Sequence, residues 1–164
     1  MVPIFIFLRE TGCRRGEAIS LRHAQLDFAR QTATFHGETK NGRARQVPLT
    51  DKAVWSVQAL PARGPEVFYH PETLNPYKGD ELYHLWEKAR ERAGCTSLRI
   101  HNLRHAFAIR LAEAGCPMHY ISEVLGHHSI EFTRRRYARF SPESATRAVL
   151  RVLQGRKMEV VAGE

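Results

Sequence analysis

Apolar residues run almost unbroken from Val2 to Leu8, and Arg9, Glu10, Thr11 and Gly12 come directly after them. That pattern predicts a short helix over Val2 to Glu10, broken at Thr11-Gly12. Glu17 to Leu21 can form a further turn of helix. The period then changes to two. Gln25 to Phe28, Thr32 to His36 and Arg45 to Leu49 alternate and are rich in Thr, Phe and Val, which predicts strands. Asn41-Gly42 between the last two is a hairpin turn signal. Together these predict a small antiparallel sheet of two or three strands. Thr50 or Asp51 can cap a helix to about Leu60. Pro61, Pro65, Pro71 and Pro76 mark a loop, with a short strand at Val67-Phe68. Leu82, Leu85, Trp86 and Ala89 give Gly79 to Ala93 helical spacing, and Gly94 stops it. From His101 onward the period stays helical: His101 to Ala114, Pro117 to Leu125, Ser129 to Arg139, and a last helix capped by Ser141-Pro142-Glu143 and reaching Leu153.

The chain has 164 residues, enough for one domain that buries about 70% of its unfolded surface without disulfides or a structural metal. One domain over 1–155 with a flexible tail over 156–164 is the expected organisation. Cys13, Cys95 and Cys116 are isolated and odd in number, so they read as reduced thiols rather than a disulfide framework. The run Val2 to Leu8 is too short to cross a bilayer, and a cytoplasmic location without membrane contact is expected.

Formal charge is +8. Residues 1–82 hold 11 Lys/Arg against 9 Asp/Glu, whereas residues 83–164 hold 14 against 8. A basic second half points to a polyanionic partner and salt-dependent association.

Candidate chemistry sits in four stretches. His101 and Arg104, three apart, share one helix face, while Leu103, Phe107 and Leu111 form a stripe that can bury. His101 and His105 have metal-binding spacing, but no accompanying glutamate makes a zinc motif, so no metal or other cofactor is expected. Arg14 comes after the Thr11-Gly12 turn and can project into a cleft, with Glu17 to orient it or support the local backbone. Its neighbour Arg15 has the same claim on spacing alone. Lys40 lies at the hairpin tip, where an amine can enter a DNA groove or protonate a leaving oxygen. Arg43 and Arg45 extend this basic hairpin toward phosphates. Leu125-Gly126-His127 places an imidazole at a helix end, with His128 adjoining. Tyr137 comes after Arg134-Arg135-Arg136; with Phe132 and Phe140 near, it is either core or a nucleophile.

The order of these pieces resembles the catalytic domain of the tyrosine site-specific recombinases, the phage integrase family. Thr11-Gly12-x-Arg14-x-x-Glu17 looks like that family's first arginine box. Lys40 looks like its β-hairpin lysine, His101-x-x-Arg104 like its HxxR box, and Leu125-Gly126-His127 with Tyr137 like its final box. The resemblance implies a mainly helical α+β domain with a small antiparallel three-stranded sheet. It implies that Tyr137 attacks a scissile phosphate to give a 3′-phosphotyrosyl link. Arg14, Arg104 and His127 would hold the phosphate, His101 would act in proton transfer, and Lys40 would protonate the 5′-oxygen, with neither metal nor ATP. The implied partner is double-stranded DNA, on which full-length members form tetramers. Arg43, Arg45, Arg134 and Arg135 become candidate DNA contacts. Full-length members carry a further N-terminal domain, so the chain is expected to be N-terminally truncated. Tyr137 stands ten residues after His127, one more than the family usually has. An extra helical residue rotates the rest of a helix by about 100°; the run Arg134-Arg135-Arg136 could hold it, absorbed by a bulge or by the loop at His128-Ser129, and if it is not absorbed Tyr137 points away from the site. Taking His128 as the family histidine is the fallback. Two rival readings are a type IB topoisomerase, which shares the chemistry, and a non-catalytic DNA-binding remnant.

Overall fold

A computed structural model describes residues 2–36 and 44–141. Helix α1 (Pro3–Thr11) opens with proline in its first turn, where a missing N–H costs nothing, and ends at Gly12 with φ of 63°. A Cβ on Gly12 would lie 2.3 Å from Phe107 Cδ1, so this turn needs glycine for both its backbone and its close approach. Helix α2 (Arg15–Ile19) comes next, then a 3₁₀ turn at His23–Gln25. Strands β1 (Leu26–Asp27), β2 (Thr32–Phe35) and β3 (Arg45–Pro48) form an antiparallel sheet in that order. Leu26 pairs with Ala33, Ala33 with Val47 and Phe35 with Arg45. Period-two burial puts Ala33, Phe35 and Val47 inward. Helix α3 (Asp51–Gln58) is capped by the Thr50 hydroxyl, which accepts from the Ala53 N–H at 3.2 Å. Helices α4 (Gly79–Arg92), α5 (Asn102–Glu113), α6 (Met118–Leu125) and α7 (Ile130–Tyr137) complete the described fold.

Two apolar clusters hold it together. The larger joins α1, the sheet, α3 and α4, with Phe5 edge-on to Trp86 at 5.1 Å and Phe7 edge-on to Phe68 at 5.4 Å. The smaller is built from Phe107, Ala108, Ala112, Ile121, Leu125 and Tyr137 on α5, α6 and α7. Helix α1 packs on both α3 and α5 and so ties the clusters together.

Most expected elements are present within a residue or two. The strand expected at Val67-Phe68 is instead flanked by isolated bridges, Arg22 to Glu66 and Tyr69 to Pro76. Its two residues are buried in the larger core, which explains their apolar signal without a strand. The helix expected over Ser129 to Arg139 stops at Tyr137 and tightens into a 3₁₀ turn at Ala138–Phe140. The hairpin tip, the helix expected to reach Leu153 and the tail lie outside the described residues. Among the described helices none is long and apolar enough to cross a membrane.

Candidate active site

Helix α6 ends at Gly126, whose φ of 65° is left-handed. A helix end leaves carbonyls without intrahelical partners and carries the negative end of the helix dipole. Three arginines from three different elements meet this end. Arg45 Nε donates to the Val124 carbonyl at 2.9 Å, Arg104 Nη2 to Leu125, and Arg14 Nη2 to Gly126 at 2.9 Å. Arg104 also donates to the Gly12 carbonyl at 2.7 Å, so it clamps the α1 turn to the end of α6. A Cβ at Gly126 would stand 3.0 Å from Arg45 Cδ, so the same glycine provides both the turn and the room for Arg45.

Glu17 lies behind the cluster. Arg45 donates to its two carboxylate oxygens at 2.7 and 2.6 Å, the forked geometry that suits arginine. Arg14 adds its backbone N–H at 2.6 Å and Nη1 at 3.1 Å. Burial pushes the Glu17 carboxyl upward, but the Arg45 and Arg14 hydrogen bonds outweigh it, so the group sits below its ordinary range. Arg104, only 5% exposed, is pushed down to about 10 by burial and then by Arg14 and Arg45. It remains a cation at neutral pH. One carboxylate against three guanidiniums leaves local positive charge able to attract an anion.

The imidazoles and the phenol form a second group. His101 precedes α5, and His105 lies one turn later with its ring perpendicular to that of His101, the centroids 4.6 Å apart. His105 Nδ1 lies 2.6 Å from the Tyr137 hydroxyl, and its Nε2 lies 3.0 Å from Arg136 Nη2. His127 Nδ1 is 2.8 Å from the Thr133 hydroxyl. Burial and then neighbouring charge lower all three histidines; His105 and His127 reach about 4, so both are neutral at pH 7. For His101 and His127 that neighbouring charge is led by Arg104, and for His105 by His101, then Arg136 and Arg104. Tyr137 is 2% exposed. Its burial raises the phenol more than Arg136 and Arg104 lower it, so it is protonated at neutral pH in this state.

The structure separates several alternatives that spacing leaves open. Arg14, not Arg15, joins the cluster; the Arg15 guanidinium lies instead beside Gly79 at the start of α4. His127 faces the arginines and the other imidazoles, while His128 is exposed. Helix α7 runs without a bulge from Ile130 and sets Tyr137 in its last turn, turned inward despite the extra residue. Tyr137 is thus both core and hydrogen-bonded to His105. Arg45 differs from its expected role as a DNA contact: its side chain is 8% exposed and bound to Glu17 and Val124, which makes it a structural member of the cluster. Arg134 and Arg135 are exposed, and Arg135 pairs with Glu131 at 3.4 Å. Lys40 and Arg43 lie outside the described residues. Spacing does not single out His105 or Arg136 as members of the site. The signal for His105 is its i, i+4 relation to His101, which suggests a metal; among the described residues no cluster of His, Cys, Asp or Glu could hold one. An apolar cleft of about 830 Å³, lined by Phe5, Leu60, Trp86 and Leu103 among others, contains none of the arginines or histidines of the cluster.

The phage integrase family profile matches residues 3–144. The chain is 34% identical over 152 residues to the integrase of Salmonella phage P22, covering 85% of this chain and 39% of that protein. It is 32% identical over 141 residues to tyrosine recombinase XerD of Mycobacterium leprae, covering 77% of this chain and 44% of that protein. It therefore spans less than half the length of these curated relatives. The catalytic domain of bacteriophage HP1 integrase superposes with a TM-score of 0.69 at 30% identity, covering 90% of this chain and 79% of that one. XerH recombinase bound to its difH substrate shares the fold, with a TM-score of 0.67 at 20% identity over 92% of this chain and 45% of that one. With the arginine, HxxR and Leu-Gly-His boxes brought to one place in this fold, the chain belongs to the phage integrase family.

Proposed function

We propose that this chain is the catalytic part of a site-specific DNA recombinase that breaks and rejoins strands through a covalent tyrosine link. The supporting observation is the meeting of Arg14 and Arg104 at the end of α6, together with Tyr137 held by the His105 imidazole. A guanidinium has five N–H donors, and Arg104 commits two of them to carbonyls. The remaining donors suit the non-bridging oxygens of a phosphodiester.

In this reading the Tyr137 oxygen bonds to phosphorus and the bond from phosphorus to the 5′-oxygen breaks. The phenolic proton passes to His101. Lys40 supplies a proton to the departing 5′-oxygen. Arg14, Arg104 and His127 stabilise the charge that gathers on the phosphoryl oxygens, each donor being worth about 10²–10³ in rate. The phosphotyrosyl bond conserves the energy of the phosphodiester, so attack by a 5′-hydroxyl rejoins a strand without a nucleotide cofactor. Tyr137 is buried, so attack requires the end of α7 to open toward the DNA. The exposed Arg134 and Arg135 are the candidate contacts to flanking phosphates, joined by Arg43 at the hairpin. The reading extends to double-stranded DNA as partner and to a tetramer on DNA for the full-length protein; the XerH structure, of the same fold, is a complex with its difH substrate.

A library of nicked duplexes with randomised arms tests it. The broken strand traps the covalent intermediate by diffusing away. The expected result is a protein–DNA adduct formed in EDTA and lost in Tyr137→Phe. DNA binding without adduct, under conditions where a full-length relative reacts, favours the non-catalytic remnant. Adduct that persists in Tyr137→Phe removes Tyr137 as the nucleophile.

A further inference from the structure

A histidine 2.6 Å from a nucleophilic hydroxyl suggests a base that takes its proton. The surroundings of His105 point the other way. Its Nε2 faces Arg136 Nη2 at 3.0 Å. A guanidinium donates hydrogen bonds and cannot accept one. Nε2 must therefore be the acceptor and carry no proton. A doubly protonated ring would set two donors, and two positive charges, against each other. The ring is neutral, and its single proton is on Nδ1. Nδ1 is the atom that meets the Tyr137 oxygen.

We propose that His105 donates a hydrogen bond to the Tyr137 oxygen and stabilises the phenolate as it forms, with Arg136 as the positioning residue that fixes the donating tautomer. This rests on the strand-transfer reading above. His105 is then not the base; the phenolic hydrogen points away from it, and that proton leaves to His101. A phenolate accepts more strongly than a phenol, so the bond strengthens as the nucleophile ionises. Burial, with His101, Arg136 and Arg104 around the ring, also keeps His105 neutral down to about 4. Arg136 lies over the Phe132 ring at 5.9 Å, which helps to hold its guanidinium against the imidazole. It is also the last residue of the run Arg134-Arg135-Arg136 that directly precedes Tyr137.

Two independent readouts test this. In ¹⁵N-histidine protein at pH 7, two-bond proton–nitrogen spectra distinguish the tautomers, and His105→Asn assigns the His105 signals. The expected result is a protonated Nδ1 and a bare Nε2, with Arg136→Leu, a surface change, shifting the ring toward a tautomer mixture. A protonated Nε2 in the unmodified protein overturns the proposal. The second readout is single-turnover cleavage of a nicked duplex selected from the randomised library. His105→Phe should slow it by about tenfold or more, the scale of a hydrogen bond to a charged group, and move the alkaline limb of the pH profile upward. His105→Asn, whose amide N–H can replace Nδ1–H, should recover most of the rate. The charged and titratable groups facing that hydrogen bond are His101, Arg104 and Arg136. Equal rates and equal pH profiles for the unmodified protein and His105→Phe overturn the proposal. Should the unmodified protein form no adduct, the strand-transfer reading fails, and the tautomer spectrum still decides the hydrogen bond.

Discussion

Replacing Glu17 with alanine leaves the Arg45 guanidinium buried against Val124 without the carboxylate that neutralises it. Removing one partner of a buried ion pair costs about 3–5 kcal/mol, chiefly because the other charge remains desolvated. Arg45 would keep its bond to Val124 and its place over the Phe35 ring at 5.2 Å. The lower end, about 3 kcal/mol, is therefore expected. A domain of this kind is held by about 5–15 kcal/mol in total, so Glu17→Ala should be folded but fragile. Glu17→Gln keeps one acceptor and the shape, and should cost about 1–2 kcal/mol. Replacing both partners with apolar residues, Glu17→Leu with Arg45→Met, should cost less than Glu17→Ala alone, because no orphan charge remains. Urea unfolding monitored by far-ultraviolet circular dichroism reads all four proteins, with an unchanged slope expected. The pair also carries a pH signature. The Glu17 carboxyl sits below its ordinary 4.5 in the folded chain. Its contribution is present above 4.5 and lost as pH falls through the lower folded value, and Glu17→Gln should remove that component. A cost below about 1 kcal/mol for Glu17→Ala would refute the assignment of Glu17 and Arg45 as the buried support of the site.

Three further outcomes are expected from the same geometry. Gly12→Ala places a methyl 2.3 Å from Phe107 Cδ1 at a left-handed φ; left-handed strain and overpacking together predict a loss of about 3 kcal/mol in urea unfolding, whereas Gly16→Ala, with open space around its Cβ, should not meet this clash. His105 and His127 are held near 4 in the folded chain against an ordinary 6.5. The unfolded chain binds their protons first, so stability should fall as pH drops from about 6.5 to about 4, and thermal melts of a His105→Asn, His127→Asn double variant should show a shallower decline over that window. Arg134→Ala and Arg135→Ala should each weaken DNA binding on all sequences alike and reduce the salt slope by about one phosphate contact in fluorescence anisotropy titrations; an unchanged slope would remove that residue from the interface.

The elements are legible in the sequence wherever local chemistry decides them. Pro3, the Thr50 cap, and Gly12, Gly94, Gly115 and Gly126 mark helix ends, and alternation marks β2 and β3. Val67 and Phe68 mislead because core burial needs only apolar side chains, with or without a sheet partner. Among site residues, the order of motifs points to Arg14, His101, Arg104, His127 and Tyr137, and the fold gathers their elements around the end of α6. Arg45 cannot be placed from its period-two strand alone. Its inward turn depends on Glu17, 28 residues earlier, and on a carbonyl 79 residues later. His105 is separated from Tyr137 by 32 residues, so its bond to the phenol has no local signature. Long-range pairing of this kind is set by packing between α5 and α7, which no short window contains.

The most direct measurement is the chemistry of the bond itself. Adduct formed with a nicked duplex and digested with protease and nuclease should yield one modified peptide in mass spectrometry. The expected product is a nucleotide joined through its 3′-phosphate to Tyr137, with a free 5′-hydroxyl on the released strand. A nucleotide joined to another residue, or through a 5′-phosphate, would contradict the assignment of Tyr137 as the nucleophile of strand transfer.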